Sequence, residues 1–190
     1  MRRDLDVRVG EDFISMTNVE FDGKYILNFG FGTKTEKKVF LNTHSDKKVV
    51  MDLTCYDPKE FYAEFPQLAG VFSALFCDEE KKIEVHLRSD KEEFLQKFKE
   101  LEFNPVETRI LSHGFIFPRT IAQIINEAHF ALSENVASRE DIDRAMKFGV
   151  NYPKGPFEWS KGKETIIRTL LEELHTSTHD PRYIPSPLLK

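Results

Sequence analysis

The segment spanning residues 114–160 constrains the fold of this chain more than any other, because it carries the start and stop signals of two helices. Apolar residues recur at helical spacing through residues 121–132, and Pro118 fits such a helix only in its first turn. Ser138, followed three positions later by an acidic residue, is a helix-start signal, and Gly149 is a helix-end signal. The segment therefore predicts two consecutive helices.

The helices continue beyond this pair. The helix that opens after Ser138 carries a stripe of Ile142, Ala145 and Met146, which we expect to face the core. Residues 151–155 form a Pro/Gly elbow, Pro156 is placed to begin another helix, and residues 165–175 bring their apolar side chains to one face. The tail that follows contains three prolines and is predicted to be extended.

Residues 1–113 show a different pattern, in which short β-branched and aromatic runs alternate with turn signals. Asp22-Gly23 predicts a hairpin, Pro58 a short helix, and Ser89 or Asp90 the cap of an amphipathic helix. The predicted strands are FISMTNVEF, KYILNFGFG, KKVFLNT, VVMDLTC, VFSALFC (71–77), KKIEVHLR (81–88) and ETRILS (107–112). The sequence thus predicts a small α/β domain over residues 1–113 and a helical domain over residues 114–190.

Composition excludes several classes of function. The 190 residues hold 27 basic and 32 acidic side chains, scattered rather than blocked, which gives a net charge of -5 and no electrostatic footprint for nucleic acid or anionic lipid. The apolar run at residues 69–77 is far shorter than the roughly 20 residues that span a bilayer, and the start of the chain has no secretory pattern. Cys55 and Cys77 are predicted to be reduced, buried thiols of a cytoplasmic protein, with a structural disulfide between them as the alternative. We expect no metal site, since the spacing of His175 and His179 offers no third ligand.

Four groups of residues resemble the C-terminal domain of 3-hydroxyacyl-CoA dehydrogenases. They are Gly-Phe-Ile-x-x-Arg at 114–119, Asn-Glu-Ala at 126–128, Ala-Ser-x-Glu-Asp-Ile-Asp-x-Ala-Met-Lys-x-Gly at 137–149, and Tyr-Pro-x-Gly-Pro-Phe-Glu at 152–158. The resemblance implies a helical domain that forms a homodimer and closes over acyl-CoA. The residues that it assigns to the substrate and dimer domain are Pro118, Arg119, Glu127, Tyr152, Pro153, Gly155, Pro156, Phe157 and Glu158. Residues 1–113 are similar to the family's NAD domain in the order of their elements, which implies a truncated, degenerate Rossmann-like layer.

The resemblance also implies a chemistry. The family transfers a hydride between NAD and the 3-carbon of a hydroxyacyl thioester, with a histidine as base and a glutamate that orients it. The histidine position falls at about Leu75, and the glutamate position at Glu84 or Val85. His86 is the alternative base, so Glu84 and His86 are the candidate catalytic residues. Pro118 stands where the family has a substrate-facing asparagine, and its side chain has no hydrogen-bonding group.

The candidate cofactor-binding residues are Gly30 and Gly32. They lie in Gly-Phe-Gly-Thr-Lys-Thr, which lacks the third glycine of the G-x-G-x-x-G fingerprint, and we interpret them as a strand end or hairpin turn. NAD is therefore implied by the resemblance alone.

Three functions follow as hypotheses. The first is a diverged, dimeric member of the family in acyl-CoA and fatty-acid metabolism, which keeps an acyl-CoA groove but has lost the catalytic histidine, the substrate asparagine and the NAD fingerprint. The second is an active NAD-dependent 3-hydroxyacyl-CoA oxidoreductase with a rearranged site. The third is an accessory subunit that binds a full-length paralogous dehydrogenase.

Overall fold

The computed structural model describes residues 17–77 and 81–190, and its first part is a six-stranded mixed sheet. The strands are β1 (Thr17–Phe21), β2 (Tyr25–Phe29), β3 (Lys48–Asp52), β4 (Leu68–Ser73), β5 (Lys82–Leu87) and β6 (Asn104–Glu107), and they lie side by side in chain order. β2, β3 and β4 are parallel, β1 and β5 run antiparallel to their neighbours β2 and β4, and β6 is parallel to β5. The start of the first predicted strand, at 13–16, lies outside the described residues.

Helices connect the strands as α/β crossovers. They are α1 (Lys34–Thr43), α2 (Pro58–Glu64) and α3 (Lys91–Glu100). The predicted Asp22-Gly23 hairpin is confirmed, since both residues have positive φ, at 51° and 69°, as a tight hairpin turn requires. The predicted helix at Pro58 is confirmed as well, with Asp57 as its N-cap.

Three of the predicted strands were wrong in place or type. The run KKVFLNT is part of helix α1, whose buried face consists of Lys37, Phe40 and Leu41 at i, i+3 and i+4. β4 begins at Leu68, before the predicted VFSALFC, and ends at Ser73. The last strand is β6, so most of ETRILS follows the sheet rather than belonging to it.

The second part of the chain is helical, as predicted. It consists of α4 (Phe117–Ser133), α5 (Arg139–Gly149), α6 (Pro156–Ser160) and α7 (Glu164–Thr178), followed by a 3-10 turn at Pro181–Tyr183. Ser138 caps α5 by accepting a hydrogen bond from the backbone N–H of Asp141 at 3.2 Å. The tail was predicted to be extended, but it folds back, with Tyr183 and Leu189 buried.

The orientation predicted for α5 was wrong. Ile142 and Met146 are half-buried, Ala145 is exposed, and no residue of this helix is buried. Its apolar stripe lies along a surface groove instead of in the core.

The sheet and the helical part share one hydrophobic core. On one face of the sheet, Met51 and Val71 belong to the same cluster as Ile121, Trp159 and Leu170 of the helical part. The opposite face is covered by α3 through Phe94 and Phe98. The fold class is confirmed, an α/β layer followed by a helical region.

The structure also bears on the two cysteines and on the expectation that no helix crosses a membrane. Cys55 and Cys77 are both buried, as predicted. Among residues 17–77 and 81–190, no helix has the length and apolar character needed to cross a membrane.

Candidate functional site

A cleft of about 430 Å³ lies between the sheet and the start of α4. The C-terminal end of β4, the strands β5 and β6, Pro118 and Pro153 surround it. Its walls are mainly apolar, with Leu75, Phe76 and Val106 among them, and Ser73, Lys82 and Glu84 contribute polar groups. Ligand sites in proteins combine apolar walls with a few placed polar groups in this way, so the cleft is the candidate functional site.

Ser73 and Glu84 are directly opposed in the antiparallel pair of β4 and β5. Opposed residues of such a pair place their side chains on the same face, within about 5.5 Å at Cβ. The Glu84 carboxylate also accepts the backbone N–H of Ile116 at 2.8 Å and that of Phe117 at 2.6 Å. Glu84 thus caps the N-terminus of α4 from a neighbouring strand, and it fixes one wall of the cleft.

Replacing Glu84 by alanine is expected to destabilise the protein by about 1–2 kcal/mol, because two N–H groups at the start of α4 lose their acceptor. Urea unfolding measures the loss. Glu134→Ala, an exposed glutamate at the C-cap of the same helix, serves as the control and should change stability by less than about 0.5 kcal/mol. An equal effect of the two substitutions would show that Glu84 does not act as the cap.

His86 does not join Glu84 in the cleft. Its ring Nδ1 donates to the carbonyl of Thr108 at 3.0 Å, and its own carbonyl accepts from the Tyr62 hydroxyl at 3.3 Å. Although the two candidate catalytic residues lie on the same side of β5, two positions apart, only Glu84 lines the cleft. Their catalytic role stays a prediction.

A chain of buried polar groups leads from the cleft into the protein. The hydroxyls of Ser73 and Thr54 lie 2.7 Å apart, and the Thr54 hydroxyl lies 2.6 Å from Oδ1 of Asp52. The backbone N–H of Thr54 donates to the same oxygen at 3.0 Å, and that of Ala74 donates to Oδ2 at 3.1 Å. Asp52 is 1% exposed, so these contacts replace its hydration.

Lys37 is the cation of this buried region. Its Nζ donates to Oδ1 of Asn28 at 3.1 Å and to the carbonyl of Gly30 at 2.6 Å. Burial lowers the pKa of Lys37 to about 8, although the charge of Asp52 opposes that shift. Burial raises the pKa of Asp52, while the charge of Lys37 and the hydrogen bonds from Thr54 oppose the rise. Lys37 and Asp52 are therefore opposite buried charges near the carboxyl ends of β2 and β3, and each favours the charged form of the other.

Gly30 directly follows the end of β2 at Phe29, which agrees with the predicted strand end, and Gly32 lies in the turn from β2 into α1. The alternative of a hairpin is wrong, because β2 and β3 are parallel. The first turn of α1 is occupied by the chain itself, because the Glu36 carboxylate accepts the N–H of Thr33 at 2.6 Å and its hydroxyl at 2.8 Å. A carboxylate in this place repels a pyrophosphate, so these residues do not fit the phosphates of a dinucleotide. NAD binding stays a prediction from the family. Within the described ranges, no group of His, Cys, Asp or Glu could hold a metal ion.

Pro118 and Arg119 point to different places. Pro118 is buried and lines the cleft. The Arg119 guanidinium donates through Nε to the Tyr183 hydroxyl at 2.5 Å and lies over the Tyr183 ring, 4.9 Å from its centre. Arg119 therefore anchors the tail.

The elbow residues build the helical region. The backbone N–H of Gly155 donates to Glu158 at 2.9 Å, and a Cβ at Gly155 would lie 2.2 Å from the Asp143 carboxyl. That carboxyl accepts the N–H of Phe157 at 2.9 Å, so the position requires glycine. Glu158 forms an ion pair with Lys147, which lowers the pKa of Glu158.

Two other elbow residues have packing roles. The Tyr152 ring packs against Trp159 at 5.6 Å. Pro153 is the elbow residue that reaches the cleft.

A second depression, of about 500 Å³, runs along the helical surface. Glu127 of α4, Ile142 and Met146 of α5, and Pro156 line it. Phe148 and Val150, at the end of α5, are 83% and 54% exposed. An exposed apolar surface of this kind is typical of an interaction site.

The chain of buried polar groups behind the cleft was not predicted from the sequence. Asp52 is the single charged residue in VVMDLTC, and a carboxylate inside a buried strand signals a partner nearby. Lys37 was hidden because its segment was interpreted as a strand. Thr54 and Ser73 carry no motif, and only the parallel pairing of β3 and β4 brings them together.

Comparison with known proteins agrees with the resemblance in the sequence. The family model described as 3-hydroxyacyl-CoA dehydrogenase, C-terminal domain, matches residues 114–190. The 3-hydroxyadipyl-CoA dehydrogenase of Escherichia coli (strain K12) is 49% identical over 79 residues, which are 40% of this chain and 16% of that protein. A probable 3-hydroxybutyryl-CoA dehydrogenase of Bacillus subtilis (strain 168) is 39% identical over 79 residues, 40% of this chain and 27% of that protein. The matched part thus spans between 16% and 27% of these relatives.

Solved structures extend the likeness to the sheet. A crystal structure of 3-hydroxybutyryl-CoA dehydrogenase from Escherichia coli K12 superposes with a TM-score of 0.64 at 27% identity, covering 74% of this chain and 30% of that one. The (S)-3-hydroxybutyryl-CoA dehydrogenase from Ralstonia eutropha gives a TM-score of 0.68 at 21% identity, covering 87% of this chain and 63% of that one. The second likeness shows a shared fold, which includes the α/β layer.

Proposed function

Through residues 114–190 this chain belongs to the 3-hydroxyacyl-CoA dehydrogenase family, and from this premise we propose a ligand. We propose that its cleft binds the acyl group of a coenzyme A thioester. The observation that carries the proposal is the composition of the cleft. Apolar walls suit a short acyl chain, and Ser73, which lies opposite Glu84, provides a hydroxyl for its oxygen atoms. The protein would thus act in acyl-CoA or fatty-acid metabolism.

The position of the cleft supports the proposal. It opens at the carboxyl end of β4, next to the end of β3, which is where ligands bind in open α/β sheets. Its other wall is the start of α4, held to β5 by Glu84. A ligand there would contact both parts of the chain.

Calorimetric titration with acetoacetyl-CoA tests the proposal. We expect saturable binding by the natural chain, and binding at least about tenfold weaker in Val106→Trp, because the indole would fill the cleft at its partly exposed wall residue. Val136→Trp is the matched control, since Val136 is 70% exposed and lies outside the cleft. Absence of binding, or equal binding by both variants, would contradict the proposal.

The same titration with NADH present separates the first two hypotheses, and a measurement of native mass tests the third. Binding of acetoacetyl-CoA without oxidation of NADH supports a diverged member whose catalysis is lost. Oxidation of NADH that disappears in His86→Ala supports an active oxidoreductase with a rearranged site. Mixed dimers with a complete dehydrogenase from the same organism, detected by native mass, support an accessory subunit.

We also propose that a second copy of the chain covers the second depression, which lies between α4 and α5 and is called the α4–α5 groove below. The observation that favours this is α5 itself, an amphipathic helix without a buried residue, continued by the exposed Phe148. Sedimentation should therefore give the mass of a dimer for the natural chain and that of a monomer for Met146→Asp. A natural chain that stays monomeric at high concentration would contradict the homodimer.

A further inference from the structure

We propose that Ser73, Thr54 and Asp52 form a hydroxyl relay that lets Ser73 offer the cleft either a hydrogen-bond acceptor or a donor, and thereby accommodate both 3-hydroxyacyl and 3-oxoacyl thioesters. The inference deepens the proposed function and rests on it, since the ligand is the acyl thioester. It assigns a role to three residues outside the resemblance to the family. Ser73 would contact the ligand, and Thr54 and Asp52 would set the direction of its hydrogen bond.

The relay is continuous by distance. Ser73 lines the cleft, its hydroxyl oxygen lies 2.7 Å from that of Thr54, and the Thr54 oxygen lies 2.6 Å from the Asp52 carboxylate. Each hydroxyl carries one proton and accepts up to two hydrogen bonds. The three groups therefore order their protons in one of two directions.

The first direction belongs to an ionised Asp52. Thr54 then donates to the carboxylate, and Ser73 donates to the Thr54 oxygen. Because the proton of the Ser73 hydroxyl is donated to Thr54, the Ser73 oxygen can only accept a hydrogen bond from a group in the cleft. A ligand hydroxyl can donate its proton to this acceptor, whereas a ligand carbonyl has none to donate.

The second direction belongs to a protonated Asp52. Its carboxyl proton is donated to Thr54, Thr54 donates to Ser73, and the Ser73 proton is left for the cleft. A ligand carbonyl, which only accepts, fits this arrangement. The two directions differ by one proton on Asp52 and by the orientation of two hydroxyls.

The surroundings of Asp52 allow both states. Burial favours the neutral carboxyl and raises its pKa, whereas the Lys37 ammonium from α1 and the N–H groups of Thr54 and Ala74 favour the carboxylate. Further titratable groups nearby are Cys55, whose thiol pKa is raised by burial, Glu84, whose carboxylate is held by α4, and Lys82 at the cleft wall. Asp52 is thus subject to opposing effects, of which burial is the largest.

A proton count on binding follows. The complex with the 3-oxo ligand needs one more proton on Asp52 than the complex with the 3-hydroxy ligand. As pH rises, the affinity for the 3-oxo ligand should therefore fall by up to tenfold per pH unit relative to the affinity for the 3-hydroxy ligand. This holds over the pH range in which Asp52 is ionised in the free protein.

Calorimetric titration in two buffers of different ionisation enthalpy measures these protons. With acetoacetyl-CoA and 3-hydroxybutyryl-CoA as probes, we expect the natural chain to bind up to one proton more with the first ligand. Ser73→Ala and Asp52→Asn should abolish the difference. Ser133→Ala, which removes a hydroxyl that donates to the Phe130 carbonyl at 2.7 Å, should preserve it.

The outcomes separate the inference from the proposed function. Equal proton counts for the two ligands, or a difference that survives in Ser73→Ala, would overturn the relay and leave acyl binding intact. Failure of both ligands to bind would overturn the proposed function and the relay with it. If Asp52→Asn does not fold, Ser73→Ala decides, because the loss of a small hydroxyl beside the cleft removes one end of the relay without exposing a charge.

Discussion

Asp52→Ala is expected to destabilise the protein by about 3–5 kcal/mol, one of the two largest effects of a single substitution that this structure predicts. The substitution removes the acceptor of three hydrogen bonds and leaves the buried ammonium of Lys37 without its counter-charge. Urea unfolding measures the cost. Asp57→Ala, at the half-exposed N-cap of α2, is the comparison and should cost only about 1 kcal/mol.

A double-mutant cycle tests whether Lys37 is the reason for that cost. Lys37→Met removes the buried cation, so the loss in Lys37→Met/Asp52→Asn should be clearly smaller than the sum of the two single losses. Additive losses would show that the two groups are independent.

The pH dependence of the Asp52→Asn variant has a definite sign. In the natural chain, the Lys37 pKa of about 8 lies below its ordinary value of 10.5, which means that the folded state disfavours the ammonium form. The free energy of unfolding therefore increases as pH rises from about 8 to 10.5. Without Asp52, the folded pKa of Lys37 falls further. The cost of Asp52→Asn should therefore be larger at about pH 7 than at about pH 9, where folded Lys37 is mostly neutral in both proteins.

Trp159→Ala should cost a similar amount, about 3–5 kcal/mol, because it opens a cavity in the core that joins the sheet to the helices. Trp159 is 7% exposed and belongs to the cluster that contains Met51 and Leu170. Unfolding is followed by circular dichroism, since this is the single tryptophan of the chain. The control is Ile110→Ala, a large apolar residue that is 65% exposed and lies outside the groove assigned to a second copy, which should change stability by less than about 0.5 kcal/mol.

A small loss in Trp159→Ala would mean that the helices pack on the sheet without this side chain. A large loss should also weaken acetoacetyl-CoA binding, because the cleft exists only while α4 stays docked on β5. Stability and ligand binding would then report the same packing.

The sequence predicted those elements whose signals are local. Pro58 and Ser138 mark helix starts through the chemistry of the first turn, and Asp22-Gly23 marks a hairpin through its positive φ. Helix α1 was missed because Lys37 occupies its buried face beside Phe40 and Leu41, and a lysine conceals an apolar stripe. Period alone cannot reveal a buried charge whose partner is far along the chain.

The missed boundaries have tertiary causes. β4 ends at Ser73 because the N–H of Ala74 donates to Asp52 instead of continuing the sheet. β6 is an edge strand with mostly exposed side chains, so it lacks the alternation that marks a half-buried strand. The stripe of α5 was recognised, but a stripe does not specify whether it packs within its own chain.

The candidate site was predictable only in part. Glu84 and Pro118 were identified by resemblance, and both line the cleft. Asp52, Thr54 and Ser73 meet through strand pairing, which their positions in the sequence do not reveal. The chemistry of the cleft therefore depends on contacts between strands.

A crystal structure of the protein with acetoacetyl-CoA is the most direct test of acyl binding in the cleft. We expect the acetoacetyl group to lie between Pro118 and β5, with its 3-oxo oxygen within hydrogen-bond distance of the Ser73 hydroxyl. An acyl group bound in the α4–α5 groove, or elsewhere away from Ser73 and Glu84, would contradict it.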